Sequence, residues 1–515
     1  MDYSHIRMFV VGLLCLTLAS CAAIEHGREL QEARQWMDEA TGRRPAWAVD
    51  TALGRLALPP SGELTQDAAI DLALTNNRAL RADIEVIGES NAELVQAGLL
   101  SNPMLSLMMR FPDGGGRASL EFGLAKDFAD LWLIPSRKRA AQSMLQQRLL
   151  SFTDNAVGLV RDVTTTFVML QYLDRTIELQ NENLEVLRQA IEVAQARLRS
   201  GSTTQLDVNL LEARRLQAEL DLLQMRNERA TTQFNLLRLL GVSRESAAWR
   251  PAPLPPAEFD RNADEDALID WGLQRRLDIQ AAGWEVDAAL AEFDQQKLRL
   301  IQSFGVGVSG ERTARRGIPG RNIAADTARA SLASGRLTAP EFEPRSARRA
   351  ARRQEIDFVL GPVIEVPLPI FDQNQAQIAK AQYRARELHE RYCELEQRTV
   401  EQMRAAIATR QTAARRREIY QASLLPVQQS NLQVAETAYQ SGQESILTVL
   451  LAQQDLIQAQ IGLVGAIRDQ LTATANLERE LGGRLPSREE MTPTTQPAGS
   501  LTPATQPTKG VASES

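Results

Sequence analysis

One segment of this chain occurs twice without a gap: Ser200 to Gly241 returns as Ser441 to Gly482. Ser200-Gly201, Leu206, Val208, Gln217-Ala218, Asn235-Leu236 and Leu240-Gly241 reappear as Ser441-Gly442, Leu447, Val449, Gln458-Ala459, Asn476-Leu477 and Leu481-Gly482. Self-similarity of this kind constrains the architecture before any local feature does. Each copy opens on a Ser-Gly turn and continues as a long helix, so the chain reads as a duplicated, helix-dominated molecule.

The segments around each copy repeat the same order. Thr65 can cap a helix running to about Leu100, and Asn102-Pro103 ends it. Leu105, Leu107, Met109 and Phe111 then alternate with Ser106, Met108 and Arg110, and Leu120, Phe122 and Leu124 with Ser119, Glu121 and Gly123, with Pro112 to Gly116 between the two runs; this is a β-hairpin. Ser136 to Ser200 has no proline, giving a helix of about 65 residues and, at about 1.5 Å per residue, on the order of 100 Å. Gly201 reverses the chain. The returning helix carries Leu206, Leu210, Ala213, Leu216, Leu220 and Leu223, a stripe with the spacing of a coiled-coil core. After a proline-rich connection the second half restarts with a helix from about Asp264 to Leu300. Two more strands, around Val306 and Phe358, follow, and then a long helix that Pro426 should kink. The expected divisions are a signal at 1–20, an anchored leader at 21–63, a first repeat at 64–242 and a linker at 243–262. A second repeat at 263–483 contains an arginine-rich loop at 311–355, and a Pro/Thr/Ser-rich tail occupies 484–515.

Arg7, an apolar run from Met8 to Leu18, and Ala19-Ser20-Cys21 have the form of a secretory signal. Leu18-Ala19-Ser20-Cys21 resembles the bacterial lipobox, which would make Cys21 the diacylated N-terminus; a plain signal with an incidental cysteine is the alternative. Cys393 would then be the one free thiol. A net charge of -7 argues against a nucleic-acid partner, and three scattered histidines against a metal site. No nucleophile, paired carboxylates or phosphate loop stands out. The expected cofactor is none beyond the covalent lipid on Cys21, and the chain does not read as an enzyme.

Strands with apolar residues on one side and glycine, serine or charge on the other are the pattern of transmembrane β-strands or of a small soluble sheet packed on helices. Four strands cannot close a barrel, and an open edge in hydrocarbon costs several kcal/mol per unpaired group. Three copies sharing their strands would form a twelve-stranded barrel.

The paired turns Leu198, Gly201, Leu206-Asp207-Val208 and Tyr439, Gly442, Leu447-Thr448-Val449 resemble the duplicated pattern of the TolC family of bacterial outer-membrane efflux proteins. Val366 to Asn374 is similar to that family's strand-to-helix crossover. Arg276-Leu277-Asp278 resembles the motif opening its second half, with leucine in place of proline. The resemblance covers roughly Leu64 to Gly482. It implies a mainly α fold with a small β part: a periplasmic α-barrel of duplicated hairpins below a shared twelve-stranded β-barrel of a homotrimer. It also implies docking to a periplasmic adaptor protein and an inner-membrane pump through Ser200, Gly201, Ser441 and Gly442. Asp207, with Tyr439, matches positions that ring the entrance in some members; on its residues alone Asp207 is equally a helix N-terminal acid offsetting the dipole.

Two functions follow. One is a passive outer-membrane duct for small solutes, drugs or metal ions. The other is a lipid-anchored periplasmic structural or adaptor lipoprotein without a pore.

Overall fold

The computed structural model describes residues 28–45, 47, 61–111, 118–242, 248–254, 265–300, 303–312, 323–340, 342, 344, 346 and 358–486. The signal, Cys21, the Pro112 to Gly116 turn, about half of the arginine-rich loop and most of the linker and tail lie outside them. Among the described residues two compact units form, one drawn from 89–146 and 284–390, the other from 28–88, 147–283 and 391–486. Each unit therefore takes segments from both repeats.

In chain order the first repeat comprises β1 (Ser61–Leu64), α2 (Gln66–Asn76), α3 (Arg78–Ala97), β2 (Met104–Arg110), β3 (Ser119–Asp127), α4 (Asp130–Arg199) and α5 (Gln205–Leu239), preceded by α1 (Arg28–Thr41). The second comprises β4 (Ala248–Pro251), α6 (Glu265–Arg275), α7 (Leu277–Leu298), β5 (Gly305–Arg312), α8 (Ile323–Ser334), β6 (Phe358–Glu365), α9 (Gln375–Ile419), α10 (Leu425–Gln440) and α11 (Ile446–Glu480). A short parallel pairing of β1 with β4 escaped the sequence reading, because neither segment alternates.

Thr65 caps α2 as expected, accepting a hydrogen bond from the Ala68 amide. The helix expected to run on to Leu100 is two helices, and the reason is Asn77. Its carboxamide oxygen accepts from the Ala79 and Leu80 amides, starting a new helix, while its Nδ2 donates to the Leu239 carbonyl at 2.9 Å. At the break between α6 and α7 Arg276 repeats the second of these bonds, its Nη1 donating to the Glu480 carbonyl at 3.0 Å. Leu239 and Glu480 are equivalent positions of the repeat, so one orphan carbonyl at each returning helix's end is satisfied by the same device. Gly241 and Gly482 follow, with φ of 71° and 79°. Pro426 does not split its helix. A π turn, Tyr420–Leu424, takes in one extra residue, the Leu425 amide reaching back to the Tyr420 carbonyl, and the Tyr420 ring lies against Gly462.

The second unit places its long helices in the neighbour order α5, α4, α11, α10. Leu184 and Leu187 of α4 pack on Ala218 and Leu222 of α5. On its other side α4 meets α11, where Arg468 lies 4.2 Å over the Tyr172 ring and Arg479 pairs with Asp154 at 2.7 Å. α10 lies along α11. The stripe from Leu206 to Leu223 is not the packed one. Val208, Leu211, Ala218 and Leu222 are buried, whereas Leu206, Leu210 and Leu220 are 65%, 55% and 60% exposed. Both seams have helical spacing, and the packed one is set by the position of α4.

Arg276, 5% exposed, forks onto Asp278 at 2.6 and 2.8 Å and reaches the Glu480 carboxylate at 2.7 Å. Burial alone would raise the Asp278 carboxyl; the Arg276 hydrogen bonds and charge outweigh it and hold it below the ordinary 3.8. Asp154 goes the other way, because burial there exceeds what Arg479 returns.

α1 is amphipathic: Leu30, Ala33 and Met37 are buried. The leader touches both repeats. The Ala40 carbonyl accepts from the Arg484 amide at 2.7 Å and the Glu39 carbonyl from Arg275, while Arg43 pairs with Asp67 and Asp71. Trp47 donates to the Leu74 carbonyl and meets Phe152 edge-on at 4.6 Å.

Two outcomes check this account in thermal unfolding of the purified protein. Gly201→Ala and Gly241→Ala both place a Cβ in the left-handed region, at about 1–2 kcal/mol, but only at Gly241 does that Cβ run into the Asn76 carbonyl, so its midpoint falls further. Asp278→Asn destabilises at neutral pH. A depressed carboxyl contributes stability that is present above its unfolded value and lost as pH falls through its folded value, so the gap from wild type closes below the ordinary 3.8.

Candidate membrane sheet and hairpin tips

The first unit is built around an antiparallel sheet in the order β2, β3, β5, β6. Its register puts Leu107, Phe122, Gly310 and Leu360 in one row and Ser106, Gly123, Ser309 and Gly361 in the next. Side chains alternate across a strand, so whole rows fall on one face. Leu105, Leu107, Phe122, Leu124, Val308 and Leu360 share an apolar face; Ser106, Glu121, Ser309, Glu311 and Glu365 share the other. On the apolar face the Phe122 ring covers Gly310 and stacks on Phe358 at 5.9 Å. That face is open, with Leu105 and Leu107 73% and 69% exposed. The outer edges of β2 and β6 have no partner among the described residues.

Polar pins fasten the strands to their neighbouring segments. Asp130, in the first turn of α4, accepts from the Ser101 amide at 2.6 Å and pairs with Arg137 at 3.0 Å. Burial acts to raise its carboxyl, but these partners bring it below the ordinary value. Asp127 accepts from the Ala129 and Phe304 amides, tying β3 to the entry of β5. In the second repeat Asn374, in left-handed backbone with φ 62°, donates to the Gln296 carbonyl at 2.7 Å. The Val366 to Asn374 crossover is thus fixed by the residue that ends it.

The two hairpin tips share a backbone solution. Gly201 and Gly442 have φ of 73° and 74°. Ser202 and Gln443 amides donate to the Arg197 and Ala438 carbonyls at 2.8 and 2.9 Å, and the glycine amides to Leu198 and Tyr439 at 3.0 Å. Both are Schellman turns. Ser200 and Ser441 spend their hydroxyls on the carbonyls of Arg197 and Ala438.

Side chains at the tips differ in an ordered way. Asp207 forms a capping box with Thr204 and accepts the Thr203 hydroxyl at 2.9 Å. The Thr204 hydroxyl first, then its amide and the Thr203 hydroxyl, hold the Asp207 carboxyl below the ordinary 3.8. The second tip has Thr448 in place of Asp207 and Glu444 in place of Thr203, with Thr448 donating to Glu444 at 3.0 Å. One acid–threonine pair thus occurs at each tip, with its members exchanged. Glu444 was not singled out from the sequence, although the threonines at 203 and 448 mark the exchange. Tyr439 sits on the second tip, 46% exposed.

An open-edged, two-faced antiparallel sheet joined to duplicated helical hairpins defines a subunit of the outer-membrane channel class. The chain belongs to the outer membrane efflux protein family, whose sequence model matches residues 69–242 and 268–483. Curated relatives include the cobalt-zinc-cadmium resistance protein CzcC of Cupriavidus metallidurans, 23% identical over 82% of this chain and 91% of its own length. The pyoverdine export outer membrane protein OpmQ of Pseudomonas putida is 27% identical over 85% of this chain and 91% of its own length. Among solved structures CusC superposes with a TM-score of 0.61 at 20% identity, covering 86% of this chain and 98% of that one. VceC of Vibrio cholerae superposes at 0.58 with 18% identity, over 81% and 96%. The fold is theirs.

Asp207→Ala removes the box that closes the first turn of α5, and amide hydrogen exchange at residues 206–208 rises. Moving the acid, Thr203→Glu with Asp207→Thr, rebuilds the second tip's pairing in the first and returns exchange toward wild type.

Proposed function

We propose that the chain is a passive outer-membrane duct, three copies of which share one barrel. The observation that carries this reading is a sheet with an uncovered apolar face and two unpaired edges. β2 and β6 run in opposite directions, so the β6 edge of one copy meets the β2 edge of the next in antiparallel register, and repetition closes a ring. Two copies would give eight strands, a size whose interior side chains fill; three give twelve and an open bore. The apolar face then meets hydrocarbon, and Ser106, Glu121, Ser309 and Glu311 line water.

In this arrangement Cys21 carries the lipid that anchors the leader to the outer membrane. Ser200, Gly201, Ser441 and Gly442 form the periplasmic end that docks a periplasmic adaptor protein, and an inner-membrane pump supplies the energy. Asp207, with Tyr439 on the neighbouring tip, stands at the entrance. The cargo is a small solute, a class to which the substrates named for CzcC and OpmQ both belong, and the duct itself brings no cofactor to it.

The reading is tested by extraction. Protein solubilised from outer membranes runs as a trimer and conducts ions in a planar bilayer. Recovery of a soluble monomer once Cys21 is replaced and the signal cleaved conventionally would instead establish the anchored structural lipoprotein. A large polar loop inserted at Gly201 or Gly442 leaves the trimer intact and abolishes export; normal export from that insertion would remove the docking role from the tips.

A further inference from the structure

Positive charge in this acidic protein is concentrated in the connection between β5 and β6. Residues 311–355 carry eleven arginines against five acidic residues, whereas the whole chain has a net charge of -7. The connection leaves the sheet at Arg312 and returns at Phe358, which pair across the two strands. At the other end of the same strands Gly305 pairs with Glu365, and there the chain passes into the helices, with Asn374 held by Gln296 at the end of α7. The arginines therefore emerge from the end of the sheet remote from the helices.

The exit lies on the apolar face. Register carries Met109, Leu120, Arg312 and Phe358 in the last row of that face, and Lys126, Val306 and Ile364 in the row nearest the helices. The face thus carries a cation at each limit and apolar side chains between. A cation at mid-membrane on a lipid-facing strand costs about 2–4 kcal/mol, falling toward zero at the interface. An arginine in such a row lays its apolar stem along its neighbours and reaches the headgroups with its guanidinium.

Within the connection α8 buries none of its residues. Its end is nonetheless ordered. After Gly335, with φ 63°, the Thr338 amide donates to the Ser331 hydroxyl at 3.0 Å and the Thr338 hydroxyl to the Thr327 carbonyl at 3.3 Å. Leu332 and Phe342 are 84% and 73% exposed, and Leu337, Arg329 and Arg336 are exposed as well. A short helix and turn that bury nothing of themselves, and show both leucines and arginines, suit a headgroup layer. Guanidiniums fork onto phosphate there, and the apolar side chains enter the acyl boundary.

We infer that the β5–β6 connection docks on the phosphorylated glycolipid of the outer leaflet, Arg312, Arg329 and Arg336 pairing with its phosphates and Leu332, Leu337 and Phe342 entering between headgroups. Charge complementarity selects this occupant, and the level of Arg312 on the lipid-facing side places the contact at the outer rim. The inference rests on the membrane-spanning sheet proposed above and adds a lipid partner to it.

The test uses the full-length protein, purified as its native oligomer in neutral detergent. Bis-phosphorylated lipid A, its dephosphorylated form and phosphatidylglycerol are the probes, each measured per chain after gel filtration. Wild type retains about tenfold more bis-phosphorylated lipid A than either other lipid, a factor that one charge-assisted contact supplies. Arg312→Gln with Arg329→Gln and Arg336→Gln removes that preference at unchanged native mass. Should the triple variant lose native mass, Arg329→Gln with Arg336→Gln makes the same comparison on a helix that buries nothing. Leu332→Ser with Leu337→Ser lowers retention and keeps the preference for phosphate. Equal retention of phosphatidylglycerol overturns the choice of glycolipid, and full retention by the arginine variants overturns the site. On intact cells with Cys393→Ser as background, Ala330→Cys, about 200° around α8 from Leu332, reacts with a membrane-impermeant maleimide. Reaction there without any lipid preference removes this inference and leaves the duct; reaction only after the outer membrane is opened removes both.

Discussion

A peptide group at a sheet edge inside hydrocarbon has no water to bond to, and each one left unpaired costs several kcal/mol. β2 and β6 each present a row of such groups beside an apolar face that the chain leaves uncovered. Burying that face in lipid without pairing the edges would be prohibitive, and pairing the edges in water would leave the leucines and phenylalanines exposed. The crossover pins matter because they hold the strands to the helices. Asp127, Asp130 and Asn374 each spend a side-chain polar group on a backbone partner from another segment.

Duplication has preserved backbone geometry and let side chains drift. The carbonyl at the end of each returning helix is held by a residue between two short helices, a neutral carboxamide in one case and a guanidinium in the other. The second choice drew in Asp278 and Glu480 to balance the charge, and it makes that junction sensitive to acid where its counterpart at Asn77 is not. At the tips the same drift exchanged an acid and a threonine across one turn of helix. Their hydrogen bond persists, but its acid sits before the helix in one tip and inside it in the other.

Much of this was readable in the chain. The glycine turns, the alternating strands and the repeat are local signals, and each falls where its residues say. Position of neighbours was not readable. α5 has two apolar seams of equal periodicity, and only the place of α4 decides that Val208 and not Leu206 faces inward. The break at Asn77 involves no glycine or proline; it depends on a carbonyl 162 residues away. β1 and β4 are likewise defined only by each other. Glu444 was hidden by a search at equivalent positions, when the pair had been kept and the positions traded.

The leader carries a consequence for how the chain matures. Gly483 is pressed against the Ala40 backbone and Arg484 donates to it, so the last helix finishes on the first one. A polypeptide released before its final turn would leave the Ala40 carbonyl, at the end of the leader helix, without its donor. The end of the leader helix and the close of the last helix thus complete one another, and a product cut short before Arg484 offers an unfinished junction to the proteases that patrol newly exported proteins.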